Sequence, residues 1–467
     1  MTTTSTKPSA DAASYPRSVP FIIGNEASER FSFYGMRSIL TVFLAEQLFS
    51  ALPTEEQRKA EAKAVFHAFV MGVYFFPLLG GWISDRLLGK YRTIFWLSIV
   101  YCVGQACLAA STTSKWGFYT GLTLIALGSG GIKPCVSAFV GDQFTAANKH
   151  LAAKIFAAFY WSINLGSFFA SLSIPKIREH YGAPAAFAVP GVLMAISTIV
   201  FWAGRSTYVE IPPKPKDPHS FWRVVMSAFR GRKGGAHWLD AARAEHPSDA
   251  VEGAKAVLRV LLVFLPTPFF WMLFDQKAST WVLQAKRMDL VVGPWKFDPS
   301  QLQFINPALV MVLIPLCATV LYPAAARLGY ELKPLRRMTI GMLLAAASFA
   351  MVAAIERELD AGVKLSVLWQ VAPYVSLTLG EVLLSTTGLE FAYSQAPPAM
   401  KSTIMSFWNL AVSAGNLAVM IVEGLNLYGQ GQVVEKLLLY GGITAVAGLA
   451  LGVIARSYKT VDYYRTA

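Results

Sequence analysis

The stretch Glu26-Ala-Ser-Glu29-Arg30-Phe-Ser-Phe-Tyr-Gly-Met-Arg37 lies inside an apolar run that extends from about residue 20 to residue 49. A run of that length can cross a bilayer, which needs about 20 helical residues. A charged side chain at the centre of such a helix costs roughly 2.5 to 3.5 kcal/mol, so charges retained there usually pair with one another or face a wet cavity. At about 100° per residue, the charged side chains share one helix face. The stretch therefore predicts a membrane helix with one functional polar face.

The composition indicates that the bilayer is the solvent of most of the chain. Of 467 residues, 54% are hydrophobic and only 15% are charged, and the mean hydropathy is positive. This is too apolar for soluble domains of that length. The formal net charge of +13 does not indicate nucleic acid, because the basic residues fall in loops between apolar runs rather than in one patch. We therefore expect a lipid bilayer, and no nucleic acid, as a partner.

Twelve apolar runs are long enough to cross the membrane. They lie at roughly 20–49, 64–88, 92–112, 116–142, 152–175, 184–204, 256–284, 300–327, 337–356, 368–396, 401–427 and 434–455. The predicted fold class is an all-α membrane protein of twelve transmembrane helices. Two six-helix bundles, residues 1–204 and 256–467, are joined by a polar linker at 205–255. Parallel repeats of this kind bind substrate near the midplane, between the halves.

The distribution of Lys and Arg predicts the orientation. If the N-terminus is cytoplasmic, the inner segments hold about twice as many of these residues as the outer ones, which is the bias that cytoplasmic loops carry. Both termini are therefore predicted to be cytoplasmic. Within the linker, residues 221–232 mix aromatic side chains with arginines. Either an amphipathic helix on the inner membrane surface or a solvated helix fits this pattern.

Further charges within the predicted spans suggest two ion pairs that exchange partners. Lys133 lies at about the depth of Glu26 and Glu29 on the first helix. Arg37 lies about 16 Å beyond Glu26 along that helix, which brings it closer to the depth of Asp275. Other ionisable residues within spans are Lys277, Glu381, Glu390 and Glu423. Residues of this kind usually serve a substrate or ion pathway.

Other polar residues recur one or two turns apart, where they share a helix face. The pairs are His67 with Tyr74, Tyr160 with Asn164, Trp271 with Asp275, and Glu381 with Ser385. His67 is either a proton relay, since its unperturbed pKa is about 6.5, or an interfacial histidine bonded to a carbonyl group. The spans carry no constellation of nucleophile, metal ligands or cofactor-binding residues. We therefore expect no enzyme, no catalytic residues and no metal site.

The first-helix stretch resembles the signature of the proton-dependent oligopeptide transporters, within the major facilitator superfamily. Further resemblances follow in order over nearly all spans. They are His67-Ala-Phe-Val with Tyr74, Gly80-Gly81 to Thr93, Gly130-Gly131-Ile-Lys133-Pro134, Phe159-Tyr160-Trp-Ser-Ile-Asn164-Leu-Gly166-Ser167, Phe270-Trp271-Met-Leu-Phe-Asp275-Gln276, Asn306-Pro307 and Gly380-Glu381-Val-Leu-Leu-Ser385. The resemblance implies the major facilitator fold and a proton-coupled symporter that imports dipeptides and tripeptides by alternating access.

The same resemblance implies roles for individual residues. Arg37, Lys133 and Asn164 would hold the peptide carboxylate, while Glu381 and Asn306 would hold its amino terminus. The other implied substrate residues are Tyr34, Tyr74, Tyr160, Trp271, Ser385 and Trp408. Proton coupling would fall to Glu26, Glu29, Arg30 and His67, and gating to Arg37 with Asp275. Protons are the expected coupling ion, without a cofactor, and a functional monomer in the plasma (inner) membrane is expected.

Two rival classes share the scaffold. Members of the sister branch that carries nitrate generally lack Glu-x-x-Glu-Arg, and a sensor would be expected to add a large extramembrane domain. The chain departs from the family pattern at three positions. Phe33 replaces a common tyrosine, Asp275 replaces a glutamate, and Lys277 is a residue for which the sequence offers no account.

Overall fold

A computed structural model describes residues 15–145, 148, 151–213, 217–231, 237–395, 397, 400–426 and 432–458. These residues are helical almost throughout, which confirms the predicted all-α class. Their one sheet is a short antiparallel pair of strands, β1 (Val291–Val292) and β2 (Trp295–Lys296). Most of both terminal segments, whose predicted side is cytoplasmic, lies outside the described residues.

The helices of the first part are α1 (Val19–Phe43), α2 (Glu55–Phe75), α3 (Pro77–Ile83), α4 (Lys90–Ala110), α5 (Lys115–Asp142), α6 (Ala152–Ala203) and α7 (Phe221–Arg230). Those of the second part are α8 (Ser248–Phe264), α9 (Thr267–Phe274), α10 (Thr280–Ala285), α11 (Ile305–Leu316), α12 (Tyr322–Arg327), α13 (Pro334–Asp360), α14 (Val371–Glu381), α15 (Thr387–Ser394), α16 (Lys401–Gly424) and α17 (Val433–Ser457).

The described helices account for the twelve predicted crossings. Nine helical segments are long and apolar enough by themselves, and α8 followed by α9 and α10 forms a tenth that bends by 46°. The long helix α6 is one of the nine, but it holds two crossings because Gly182 interrupts it at φ 82°. Helix α1 is the twelfth. Its 25 residues are long enough, although the charges from Glu26 to Arg37 make it unusually polar for a span.

The second span begins earlier than the sequence predicts. Hydropathy places its start near residue 64, whereas α2 begins at Glu55. Lys63 lies in this added segment, only 8% exposed, with Nζ 2.7 Å from Glu423 Oε2. Hydropathy treats a lysine as solvated and cannot register a carboxylate on a distant helix, so the predicted start was wrong.

The first of two compact units comprises Met1–Ser50, Phe76–Lys214 and Ser300–Ala308. Within it α1 packs along α6, and α4 packs against both α5 and α6. Glycines permit close contact between α3 and α5, since a Cβ on Gly80 would lie 2.4 Å from the Gly131 Cα. No side chain fits in that space. The backbone of this unit therefore depends on small residues at its helix crossings.

The second compact unit comprises Ala51–Phe75, Pro215–Pro299 and Leu309–Ala467. In it α2 packs along α16, and α13 packs along α17. Gly415 of α16 faces the start of α9, where a Cβ would lie 2.4 Å from the Pro268 carbonyl oxygen. The domain boundaries predicted at 204 and 256 follow chain order rather than packing, and they stay a prediction.

The linker contains the helix that its composition predicts. Helix α7 buries Phe221 and Val224, and the Phe221 ring meets the Phe407 ring edge-on with centroids 5.8 Å apart. Trp222 and Phe229 remain exposed. Arg232, at the end of the predicted segment, lies outside the described residues, as do residues 214–216. Contact of this helix with a membrane surface stays a prediction.

Candidate functional site

Helix α1 carries the first group of candidate residues, in the first unit. It lies close to α6 because glycines occupy the crossing. A Cβ on Gly35 would lie 2.8 Å from Ile174 Cγ1, and one on Gly166 would lie 2.9 Å from the Ala27 carbonyl oxygen. This packing buries the polar face of α1. Glu26, Glu29 and Arg30 are 3%, 0% and 6% exposed.

Arg30 bridges two carboxylates on this face. Its Nε donates to Glu26 Oε1 at 2.7 Å and lies 2.8 Å from Glu29 Oε2. Ser129 Oγ on α5 donates to Glu29 Oε1 at 3.4 Å. One guanidinium thus serves two acids, so the triplet carries one negative charge when both acids are ionised. Because charges interact strongly in a buried, low-dielectric site, the arrival of one proton changes which groups attract each other.

Lys133 of α5 lies against the aromatic part of α1. Its Nζ is 4.3 Å from the centroid of the Phe33 ring, which is a cation–π geometry. Phe33 is 1% exposed and meets the Tyr34 ring edge-on at 5.3 Å. The ring that replaces a family tyrosine therefore offers its face to the lysine. Arg37, 6% exposed, lies two turns beyond Arg30 on the same helix.

Three predicted substrate residues lie on other helices of the first unit. Asn164 Nδ2 donates to the Tyr160 carbonyl oxygen at 3.0 Å, and the Tyr160 side chain is partly exposed. Asn306, 9% exposed, opens α11. The turn before it is held in this unit because Gln303 Nε2 donates to the Ser38 carbonyl oxygen at 2.9 Å. Nothing in the sequence indicates that attachment.

In the second unit His67 belongs to a chain of side-chain hydrogen bonds. Its Nδ1 lies 2.7 Å from Asn416 Oδ1, and its Nε2 lies 2.9 Å from Ser279 Oγ. Asn416 Nδ2 in turn donates to Asp275 Oδ2 at 2.8 Å. His67 and Asn416 are fully buried and Asp275 is 3% exposed. Both ring nitrogens therefore meet side chains from distant parts of the chain, and a proton relay at His67 stays a prediction.

With Asp275 ionised, the order of these bonds favours one tautomer of His67. Asn416 donates to Asp275 through its nitrogen, so its oxygen faces His67 and must accept a hydrogen from Nδ1. The neutral ring then accepts from the Ser279 hydroxyl at Nε2, whereas the cationic ring donates to it. A change between the neutral and the cationic ring requires only that the Ser279 hydroxyl rotates. Both protonation states of the ring therefore fit these contacts with little movement of the neighbouring side chains.

The Asp275 position also interrupts a helix. After α9, residues Asp275–Ala278 form a single 3-10 turn, and α10 follows. Short 3-10 segments inside a helix often mark functional hinges. Lys277 in this turn places Nζ 3.0 Å from the Phe274 ring centroid.

Two predicted substrate residues of the second unit are tryptophans that contact each other. The Trp271 and Trp408 rings meet edge-on with centroids 6.0 Å apart, and both residues are less than 10% exposed. Trp271 Nε1 has no hydrogen-bond partner among the described residues. A buried donor without a partner costs about 1 to 3 kcal/mol. This N–H group is therefore available to a ligand.

Glu381 and Ser385 lie where α14 changes helical pitch. Glu381 ends α14, and Val382–Thr386 continue as one turn of π-helix. Such turns often occur at functional sites. In the described chain Ser385 Oγ is buried without a hydrogen-bond partner. Tyr74 is half-buried in the last turn of α2 in the same unit.

Sequence reasoning missed three residues of these groups: Ser129, Ser279 and Asn416. Each is a fully buried polar residue. Asn416 lies within the apolar helix α16, which was the available signal. Its partners, however, lie on distant parts of the chain, so a single sequence could not pair it.

Comparison with known proteins decides the family. A profile described as POT family matches residues 91–434, well over half of the chain. The chain belongs to the POT family. A relative from Drosophila melanogaster, named peptide transporter family 1, is 40% identical over 366 residues, which are 74% of this chain and 48% of that protein. The chain spans about half the length of the curated relatives it matches.

Solved structures of POT proteins match nearly the whole chain. The crystal structure of an auto-inhibited POT family peptide transporter is 45% identical and has a TM-score of 0.92, covering 97% of this chain and 99% of the other. The POT transporter PepTSo is 48% identical with a TM-score of 0.90, covering 95% of this chain and 99% of the other. This POT protein is therefore an integral membrane protein with the major facilitator fold, as predicted.

Proposed function

We propose that this POT protein is a proton-coupled symporter that imports dipeptides and tripeptides by alternating access. The observation that carries the proposal is the buried triplet in which Arg30 contacts both Glu26 and Glu29 at 2.7 and 2.8 Å. A bilayer-spanning helix retains such a costly group for a pathway or a proton relay. The names of its relatives as peptide transporters support the substrate class.

Proton coupling follows from the charge of the triplet. Protonation of Glu26 or Glu29 removes its net negative charge, and the pull on Lys133 weakens. Lys133 then holds the peptide carboxylate, together with Arg37 and Asn164. Release of the proton on the inner side reverses this exchange. The membrane potential adds about 2.3 kcal/mol per charge per 100 mV, which favours inward movement of protons.

The positively charged amino terminus of the peptide requires an acidic side chain. Glu381 and Asn306 hold its amino terminus in this proposal, while Ser385 Oγ and Trp271 Nε1, both without partners in the described chain, bond to the bound peptide. The side-chain pockets are formed by Tyr34, Tyr74, Tyr160, Trp271 and Trp408. His67 relays protons, and Arg37 with Asp275 gates the path.

The proposal also covers the coupling ion, the oligomeric state and the orientation in the membrane. Protons are the only coupling ion, without a resident cofactor, and the protein works as a monomer in the lipid of the plasma (inner) membrane with both termini cytoplasmic. The bundles at 1–204 and 256–467 are joined by a cytoplasmic linker at 205–255. Cysteine labelling of each terminus in intact cells would test the orientation.

Uptake of labelled dialanine into proteoliposomes tests the function. We expect accumulation above equilibrium when an inward proton gradient is imposed, and only equilibration when it is absent. Accumulation that ignores the gradient would reject proton coupling. Failure of dialanine to enter or to compete would reject the substrate class.

The Glu29→Gln variant tests the coupling residue. We expect it to abolish concentrative uptake, because the triplet can no longer take up a proton at that acid. Exchange of labelled for unlabelled dialanine should remain measurable, since substrate binding does not need the proton to move. Concentrative uptake at the wild-type level would remove this role from Glu29.

Trp271→Phe tests the predicted substrate contact. It removes the indole N–H, and we expect KM for dialanine to rise several-fold while thermal stability changes little. Trp281→Phe is the matched control, because Trp281 is also fully buried with an Nε1 that has no partner in the described chain, but it is not a predicted substrate residue. Equal KM changes in the two variants would contradict the assignment.

A further inference from the structure

A cavity of about 560 Å³ lies within the second unit, and none of the residues that line it is among those assigned to peptide transport. It is bounded by the first turns of α2, by α10, by the end of α16 and by the start of α17. Four basic and four acidic side chains line it, together with apolar ones such as Leu52 and Leu283. Its volume suits a small ligand, and its balanced charge suits one that carries both signs.

Some of these charges already have partners. Arg287 forms ion pairs with Glu356 and with Asp360. Lys59 Nζ lies 2.8 Å from Oε1 of Glu55, a residue that does not line the cavity. The groups that remain decide what the cavity can bind.

Two lysines at the bottom of the cavity share one oxygen atom. Lys63 Nζ lies 2.7 Å and Lys436 Nζ lies 3.2 Å from Glu423 Oε2. Glu423 is 2% exposed, and its Oε1 has no hydrogen-bond partner within the described residues. Two ammonium groups with one carboxylate leave a surplus positive charge and unused N–H donors. That combination recognises a carboxylate.

Two glutamates at the rim complement this charge. Glu56 and Glu61 are exposed, and the part of the chain that the structure describes holds no salt bridge to either. Glu56 lies on the same face of α2 as Lys63, seven residues and therefore about 10.5 Å away along the axis. A peptide of two or three residues spans about 7 to 11 Å when extended. An ammonium group at one end of it can thus reach the rim while its carboxylate reaches the lysines.

We propose that this cavity is a second, peripheral binding site for a small zwitterion, a dipeptide or tripeptide. Lys63 and Lys436 hold the carboxylate, and Glu56 with Glu61 attract the ammonium group. The choice of peptide among zwitterions rests on the proposed function. Helix α16 ends and helix α17 begins at this site. The C-terminus of the chain follows the other end of α17 and is cytoplasmic in the proposed orientation, so the site lies on the outer side of the membrane.

Calorimetric titration of dialanine into the purified full chain tests the proposal. We expect two classes of site, with Lys436→Met weakening the peripheral class at least fivefold and leaving the other unchanged. Lys63 still neutralises Glu423 in that variant, and Lys176→Met, which removes a lysine paired with Glu179 in the first unit, is the control. The double variant Glu56→Gln/Glu61→Gln alters only exposed groups and should also weaken the peripheral class.

The outcomes separate this site from the transport site. In a Glu381→Gln background, binding that still depends on Lys436 would support the peripheral site even if dialanine transport had failed its own test. Dialanine amide, which lacks the carboxylate, should bind the peripheral site at least tenfold more weakly than dialanine. One site per chain that is unchanged by Lys436→Met and by the rim variant would overturn the proposal and leave Lys63, Glu423 and Lys436 a structural cluster.

Discussion

Two of the buried polar groups in the described part of the chain accommodate their charges in different ways. In the first unit, Arg30 touches Glu26 and Glu29 directly, at 2.7 and 2.8 Å. In the second unit, Asp275 reaches His67 only through the amide of Asn416, by bonds of 2.8 and 2.7 Å. The first group is a cluster of formal charges. The second, the proposed proton relay, is a chain of hydrogen bonds in which a neutral amide separates the two titratable groups.

The difference predicts how each group responds to change. A cluster of contacting charges depends on every member, because loss of one leaves another buried and unpaired. The stability of a relay is the sum of single hydrogen bonds, each of which contributes about 1 kcal/mol. The cluster should therefore be fragile to substitution and sensitive to one proton, whereas the relay should tolerate substitution and pass protons.

The largest expected effect is that of Arg30→Met. It leaves two carboxylates buried beside each other, so we expect a loss of about 3 to 5 kcal/mol of stability. Thermal unfolding of the purified protein in detergent measures this loss. The triple variant Glu26→Gln/Glu29→Gln/Arg30→Met carries no charge at the site and should recover most of it. A single variant that unfolds at the wild-type temperature would show that the cluster is not an interdependent set.

Asn416→Leu should have an intermediate effect. It removes the acceptor of His67 Nδ1 and the donor to Asp275 together, and unsatisfied buried groups cost about 1 to 3 kcal/mol. Asn164→Leu is a useful comparison, since the Asn164 amide donates to a backbone carbonyl of its own helix. We expect it to unfold closer to the wild type. If Asn416→Leu were as damaging as Arg30→Met, the two groups would not differ in kind.

The same contrast explains how far the sequence could predict the site. Glu26, Glu29 and Arg30 are three or four residues apart on one helix, so periodicity alone brings them together. His67 and Asn416 are separated by 349 positions, and periodicity states only which way each one faces. The start of α2 was missed for a related reason, because Lys63 depends on Glu423. Spacing within a helix predicts local contacts, while partners on other helices require the fold.

The smallest expected effect comes from two serines that occupy matching roles. Ser279 Oγ lies 2.9 Å from His67 Nε2, whereas Ser129 Oγ donates to Glu29 Oε1 over 3.4 Å, which makes the second bond the weaker one. Ser129→Ala should change stability by no more than about 0.5 kcal/mol, because Arg30 carries the electrostatic attraction.

Ser279→Ala removes the hydroxyl that serves both states of the His67 ring. We expect a several-fold fall in proton-driven dialanine uptake with exchange of dialanine nearly unchanged, and a loss of about 1 kcal/mol of stability because the buried His67 Nε2 loses this partner. Ser279→Thr retains the hydroxyl and should behave like the wild type. Equal losses of driven uptake in Ser129→Ala and Ser279→Ala would mean that the relay holds no advantage in proton transfer, because a hydroxyl beside a charged cluster would then matter as much as one inside a neutral chain.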